Sequence, residues 1–215
     1  MRFTLICACN DTEVLNRNVF ASPFTRHCQV IVQRGYTNVP KAYNEAMPQA
    51  EGDVLIFLHQ DVYLPDRFEM ELNQSVKELG SVAWGVLGPA GQSATGGYGH
   101  VLDRGQAWGK HDRLPMSVDT LDELMLIIRR DTLKFDERMP THHLIGTDLC
   151  LQARAAGLGV YAIRAYCHHN SKTTIADESL WLSADYIMRK WPQYLPIYAT
   201  VADLRGLDEQ RTLRL

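Results

Sequence analysis

Apolar and polar positions fall into two alternating kinds of segment along the first part of the chain. Phe3 to Ala8 is a short apolar run closed by Cys9-Asn10-Asp11, and beyond it Val14, Leu15, Asn18 and Val19 recur at helical spacing, which predicts strand, then helix. Cys28 to Val32 predicts the next strand. Pro40 suits the first turn of a helix running through Ala42, Tyr43 and Ala46 until Pro48 limits it. Val54-Leu55-Ile56-Phe57-Leu58 is apolar without alternation, the pattern of a strand covered on both faces. Asp66 with Glu69 forms a capping box for a helix that lines up Phe68, Leu72, Val76 and Leu79 and stops at Gly80, and Val82 to Leu87 is a further strand. Strands alternating with helices, joined by right-handed crossovers, predict an open α/β sheet with helices on both faces over residues 1–90.

The segment Gly85 to Gly109 interrupts this order, with eight of the fifteen glycines and with Trp84 and Trp108 near its ends. Such a segment is either an ordered loop over a site or a surface excursion. Leu124 to Ile128 predicts another buried strand. Thr147 suits the cap of a helix through Ala156 that Gly157 ends, and Leu158 to Ala165 predicts a strand. Asp177 to Lys190 and Trp191 to Leu204 predict two helices separated by Pro192, a C-terminal helical appendage to one domain covering residues 1–215.

Composition narrows the class. With 215 residues, 46% hydrophobic and 22% charged, the chain matches soluble globular proteins, which excludes disorder and fibre. A net charge of −3 without a Lys/Arg block argues against nucleic acid as a partner, because that affinity comes from neutralised phosphates. The longest apolar runs have five residues, far short of the roughly 20 that span a bilayer. Met1 to Cys7 is too short and too soon polar for a secretory leader, so a cytoplasmic protein is expected. Cys7, Cys9, Cys28, Cys150 and Cys167 include no C-x-x-C and lie mostly in apolar runs, which fits buried reduced thiols better than disulfides or structural zinc.

The most informative stretch is Phe57-Leu58-His59-Gln60-Asp61-Val62-Tyr63-Leu64-Pro65. A buried strand here delivers polar groups at its carboxyl end, where open α/β sheets place ligands. Asp66 is already taken as the helix cap, so Asp61 either serves a turn or holds a divalent cation completed by phosphate oxygens and water. Three other stretches carry candidate chemistry: Cys9-Asn10-Asp11 after the first strand, Asp148 at a predicted helix start, and Cys167-His168-His169-Asn170-Ser171 at the end of the last strand. Each has a plainer alternative: Asn10 or Asp11 as a helix cap, Asp148 as a first-turn acid favoured by the helix dipole, and the histidines as surface or core residues. Adjacent strand residues face opposite ways, so at most one of His168 and His169 reaches a given site.

Lys41-Ala42-Tyr43-Asn44-Glu45-Ala46-Met47 followed by Glu51-Gly52-Asp53 and the strand ending in His59-Gln60-Asp61 resembles the core of family 2 glycosyltransferases, in which that strand ends in Asp-x-Asp. His-Gln-Asp in its place resembles the branch named after the streptomycin-biosynthesis protein StrF. The similarity runs from about residue 3 to residue 172. It implies a GT-A type fold with an open mixed, mainly parallel sheet. Residues 1–90 would form a nucleotide-binding half, 91–172 an acceptor and catalytic half, and 173–215 the C-terminal helices. The resemblance also implies an inverting transfer from a nucleotide-diphosphate sugar to an acceptor the sequence does not name, with Mn²⁺ or Mg²⁺ on Asp61 assisted by His168 or His169. Asp148 matches the family's general base after Phe135-Asp136-Glu137. Cys9, Asn10, Asp11, Lys41, Asn44, His59, Gln60 and Lys172 are the donor-binding candidates. Two departures count against this reading: His59 replaces the first motif carboxylate, and Gln33-Arg34-Gly35 replaces the usual base-binding Asp. A catalytically silent nucleotide-sugar-binding or scaffolding protein, and a hydrolase using Ser93, are the rival readings.

Overall fold

A computed structural model describes residues 1–171 and 178–207, together with the backbone of Thr212–Leu213. The first three strands, β1 (Phe3–Cys9), β2 (Gln29–Arg34) and β3 (Val54–Leu58), are parallel, with β1 between the other two. Helices α1 (Thr12–Arg17) and α2 (Val39–Ala46) make the crossovers. Three strands extend the sheet past β3. β5 (Trp84–Gly88) and β13 (Gly159–Ala162) are parallel to each other, while β12 (Met125–Arg129) lies between β3 and β5 and runs against both. With the short β10 (Met116–Ser117) at its edge, the sheet has seven strands, of which β1, β2, β3, β5 and β13 share one direction. The result is the expected mixed, mainly parallel α/β sheet.

Strand β3 shows why this architecture follows from an unbroken apolar run. It sends Leu55 and Phe57 into a core shared with α2, α4 (Ile145–Ala155) and α5 (Glu178–Lys190), and Val54, Ile56 and Leu58 into a core shared with α1 and α3 (Phe68–Leu79). All five are buried, so neither face of the strand offers room for a polar side chain. Removing each such side chain from water contributes roughly 1.5–3 kcal/mol. All five cysteines are free thiols and four are buried, as expected. Burial pushes the Cys150 thiol up to about 12, which makes it inert.

The glycine-rich segment is neither a loop nor an excursion. It folds as β6 (Ala90–Ser93), β7 (Gly96–Gly99), β8 (Val101–Asp103) and β9 (Gln106–Trp108). The hairpins β6–β7 and β8–β9 are antiparallel, and Arg104-Gly105, both with positive φ (48° and 79°), form the tight turn of the second. Glycine is needed for close approach: a Cβ on Gly99 would lie 2.4 Å from the Pro89 carbonyl oxygen and 2.9 Å from the Trp108 ring. β8 also joins β14 (Cys167–His169) and β4 (Val62–Tyr63) in a second sheet, and β6 pairs with β11 (Thr120–Leu121).

Three local expectations are corrected. Asp66 makes no capping bond, because Arg67 takes the cap position of α3 in helical conformation, while Glu69 pairs with His27 (3.0 Å). Thr147 lies buried inside the first turn of α4, whose cap position falls on Leu144 in the left-handed region (φ 60°). Trp191 to Leu204 is not a helix. Pro192 and Pro196 interrupt it, leaving a 3-10 turn at Pro192–Tyr194 and the strands β15 (Ile197–Tyr198) and β16 (Ala202–Leu204). β16 also pairs with Thr212–Leu213.

Candidate functional site

Five chain segments converge at the carboxyl end of β3. The His59 N–H donates to the Leu124 carbonyl (3.0 Å), tying the end of β3 to the start of β12, and the Asn170 N–H donates to the Asp61 carbonyl (2.9 Å), tying it to β14. Pairing of β14 with β4 sets His169 opposite Val62 and His168 opposite Tyr63. The two histidines therefore face opposite ways, as strand geometry requires. His169 turns toward Asp61 and Asp103. His168 turns away and packs between the rings of Tyr63 (5.5 Å) and Tyr166 (5.2 Å). A cavity of about 1140 Å³ opens over this point, walled on one side by β6 to β9 and lined among others by His59, Asp61, Asp122, Glu123, His143 and His169.

His59, Asp61 and His169 form the cluster at its floor, with one ligand-type atom from each lying within 4.8 Å of the others. His169 Nδ1 is bound to Asp103 Oδ1 at 2.9 Å, which fixes the ring. With Nδ1–H donating, a neutral His169 points the lone pair of Nε2 at Asp61 Oδ1, 3.5 Å away. That separation is too long for a well-made hydrogen bond, and Asp61 Oδ1 is a buried oxygen with no hydrogen-bond partner among the described residues. Two lone pairs facing each other in a buried site require a proton or a cation between them. Electrostatics favour positive charge between them, which a protonated His169 or a bound cation supplies. Burial alone would raise the Asp61 carboxyl, but His169 and His59 outweigh it and hold it below its ordinary value. Burial likewise opposes protonation of His169, yet Asp61, Asp122 and Asp103 raise its pKa. His59 is driven down to about 4, by burial first and then by His169, so it is a neutral imidazole at neutral pH. Two imidazoles and a carboxylate, one imidazole braced by a second carboxylate, are a donor set that fits a divalent transition metal.

Other residues expected at the site serve the scaffold. Asp148 is 1% exposed and does not line the cavity: Oδ1 accepts from Lys190 Nζ (2.7 Å) and Trp191 Nε1 (2.8 Å), and Oδ2 from Gln152 Nε2 (2.8 Å). Both oxygens are spent, and a base needs one within reach of its proton. Asp11 caps α1 through the N–H groups of Glu13 and Val14 (2.9 and 3.1 Å). Gln60 Oε1 accepts from the N–H groups of Asn10 and Asp11 (3.1 and 2.9 Å), and its Nε2 donates to Asn10 Oδ1 (2.6 Å), so it braces the turn after β1. Asn44 is engaged on both sides by the Phe135 backbone (2.9 and 3.0 Å). Cys9 is buried against Arg34, whose Nη1 lies 3.2 Å from its sulfur, and Lys41 pairs with Glu45 at 3.7 Å. Lys172 lies outside the described residues. Ser93 is bonded to Thr95 (2.9 Å) with no histidine partner among the described residues, which leaves the hydrolase reading without its dyad.

Three acids of the cavity, Asp103, Asp122 and Glu123, were not expected from the sequence. Asp122 and Glu123 reach this end of the sheet because β12 runs antiparallel to β3 and so presents its amino end here. The apolar run at 124–128 gives no sign of strand direction.

Comparison with known proteins bears on the fold. No protein-family model matches the chain. A curated relative, "ATP synthase subunits region ORF 6" of Fuscovulum blasticum, is 30% identical over 164 residues, covering 72% of this chain and 66% of the relative's length, a little under two thirds. Among solved structures, S. aureus TarS 1-349 superposes with a TM-score of 0.54 at 15% identity, covering 90% of this chain and 73% of that one. The mannosyltransferase PcManGT of Pyrobaculum calidifontis, in complex with GDP-Man and Mn²⁺, gives 0.55 at 11% identity, covering 89% and 63%. GalNAc-T7 with UDP, GalNAc and Mn²⁺ gives 0.54 at 8% identity, covering 79% and 44%. The chain therefore has the mixed α/β fold of the GT-A glycosyltransferases.

Proposed function

We propose that this chain transfers a sugar from a nucleoside-diphosphate donor to an acceptor hydroxyl, with inversion at the anomeric carbon and with a divalent cation held by Asp61, His169 and His59. The observation that carries this reading is the buried Asp61 Oδ1, without a hydrogen-bond partner among the described residues, facing His169 Nε2 at the floor of the cavity. The solved structures of similar fold support it: TarS was determined with UDP-GlcNAc, PcManGT with GDP-Man and Mn²⁺. The likeness in fold supports the class of reaction, while the StrF-like branch rests on the residues around His59-Gln60-Asp61 alone.

Each group has a task in this reading. Asp61 supplies the negative charge of the ligand set, and Asp103 keeps His169 in the tautomer that leaves Nε2 free to coordinate. A cation bound there supplies positive charge to the departing diphosphate. Arg104 and Lys110, which line the same cavity, join the donor-binding candidates as cations for the diphosphate. The β6–β9 wall keeps bulk water from the donor.

The test is a thermal shift with Mn²⁺ and either UDP-N-acetylglucosamine or GDP-mannose. Ligand at 100-fold excess over Kd stabilises by ~2.7 kcal/mol. The wild-type chain is expected to shift with nucleotide sugar only when Mn²⁺ is present, and Asp61→Asn and His169→Ala to lose that shift while keeping their fold. A shift that persists in both variants contradicts the ligand assignment.

A further inference from the structure

With Asp148 locked into the scaffold, an inverting transfer has no base until another carboxylate is found. The acids lining the cavity separate by their partners. Asp122 gives Oδ1 to the Leu124 N–H (2.9 Å) and Oδ2 to the Thr200 hydroxyl (2.6 Å). Asp103 is held by His169 (2.9 Å) and Arg104 (3.2 Å). Asp61 faces the imidazoles. Glu123 differs from all three: backbone N–H groups alone hold it, that of Leu144 lying 3.0 Å from Oε1, and no side chain among the described residues bonds to it.

Its place in the fold is also particular. Glu123 sits at the amino end of α4, where Gly146 packs directly on its segment; an added Cβ would fall 2.9 Å from the Leu121 carbonyl oxygen and 3.2 Å from the Glu123 nitrogen. The helix end favours the carboxylate, whereas burial disfavours it. Burial, reinforced by Asp122, wins and pushes the carboxyl up to about 8. The other titratable groups around it are His169 from β14, His143 ahead of α4, His59 and Asp61 at the end of β3, Tyr43 of α2 and Cys150 of α4.

We propose that Glu123 is the general base that deprotonates the acceptor, an inference that rests on the transferase reading of the same cavity. The acceptor oxygen forms its bond to the anomeric carbon as the bond from that carbon to the diphosphate oxygen breaks. The bonding pair leaves with the diphosphate, and the acceptor's proton passes to Oε2 of Glu123. A base with a pKa close to working pH is the efficient one.

Water can stand in for the unknown acceptor, so release of UDP from UDP-N-acetylglucosamine, or of GDP from GDP-mannose, with Mn²⁺ reads the step directly. Glu123→Gln keeps an oxygen for the Leu144 N–H and is expected to lower release by ~10²–10⁴-fold. Its Mn²⁺-dependent thermal shift should stay at the wild-type size. The wild-type rate should rise with pH as Glu123 loses its proton, at a pH that bound Mn²⁺ draws below the metal-free value of about 8, and the variant should lack that limb. Asp148→Asn, by contrast, should keep both the rate and the limb. Equal release from Glu123→Gln, a retained alkaline limb, or loss of release in Asp148→Asn with donor binding intact overturns the assignment of the base alone. A wild-type chain that binds neither donor overturns the transferase reading and the base with it, and one that binds donor yet releases no nucleotide at acid or alkaline pH overturns the base.

Discussion

Asp61 and Asp148 show how one residue type takes opposite roles according to its neighbours. Asp148 is buried with three donors on two oxygens, which makes it a structural anchor. Asp61 is half-buried with an oxygen that no described residue hydrogen-bonds, a state that costs about 1–3 kcal/mol unless something charged or protic fills the gap. Glu123 lies between these extremes, and its raised pKa links it to stability. Its folded value of about 8 lies above the ordinary 4.5, so the folded chain holds a proton there that the unfolded chain has already released. The stabilisation is complete below pH 4.5 and is lost as pH rises through about 8. Urea midpoints for wild type should therefore fall relative to Glu123→Gln between mildly acid and alkaline buffers. A constant difference would show that the carboxyl is not buried as described.

At the scale of elements, one cation near the end of α5 adds an ionic tie to the apolar packing that holds the helix. Lys190 Nζ bridges Asp136 Oδ2 and Asp148 Oδ1, both at 2.7 Å, and Tyr186 adds a hydrogen bond to Asp136 at 2.8 Å. The acids expose 8% and 2% of their side chains; without the lysine Asp136 keeps Arg138 (2.9 Å), while the more deeply buried Asp148 is left with no cation among the described residues. Lys190→Met should cost about 3–5 kcal/mol in denaturant unfolding, since breaking a buried pair is far worse than never having it. A loss well under 1 kcal/mol would mean that the pair is open to water. Asp136 thus fixes its loop through Lys190, Tyr186 and Arg138. The elements legible beforehand were those whose apolar pattern was strong: β1, β2, β3 and the strands at β5 and β12. Less legible were elements decided by contacts distant in sequence. The strands β6 to β9 have three or four residues each, and glycine hides their alternation. The helix expected after Trp191 fails because its prolines outweigh its apolar spacing.

Across the whole molecule, the same logic explains which parts of the site could be read in advance. Asp61 at a strand end, and the rule that only one of His168 and His169 faces a given site, were visible because strand ends and strand alternation are local; which histidine it is follows from the pairing of β14 with β4. The acids Asp122 and Glu123 were invisible because they depend on β12 running antiparallel, a property of the complete sheet. The wall of the cavity depends on Trp108 packing over Gly97 and Gly99, with a Cβ at either position falling 3.1 Å or 2.9 Å from its ring. Architecture and site are thus joined at the carboxyl end of β3, where several segments meet around a carboxylate oxygen with no hydrogen-bond partner among the described residues. The most direct measurement is anomalous scattering at the manganese edge from crystals of this chain soaked with Mn²⁺ and UDP. The account predicts one peak coordinated by Asp61, His169 and His59, with the diphosphate on its open side, and no such peak in Asp61→Asn. A bound nucleotide with no ion at these three residues, or an ion held elsewhere in the cavity, would contradict it.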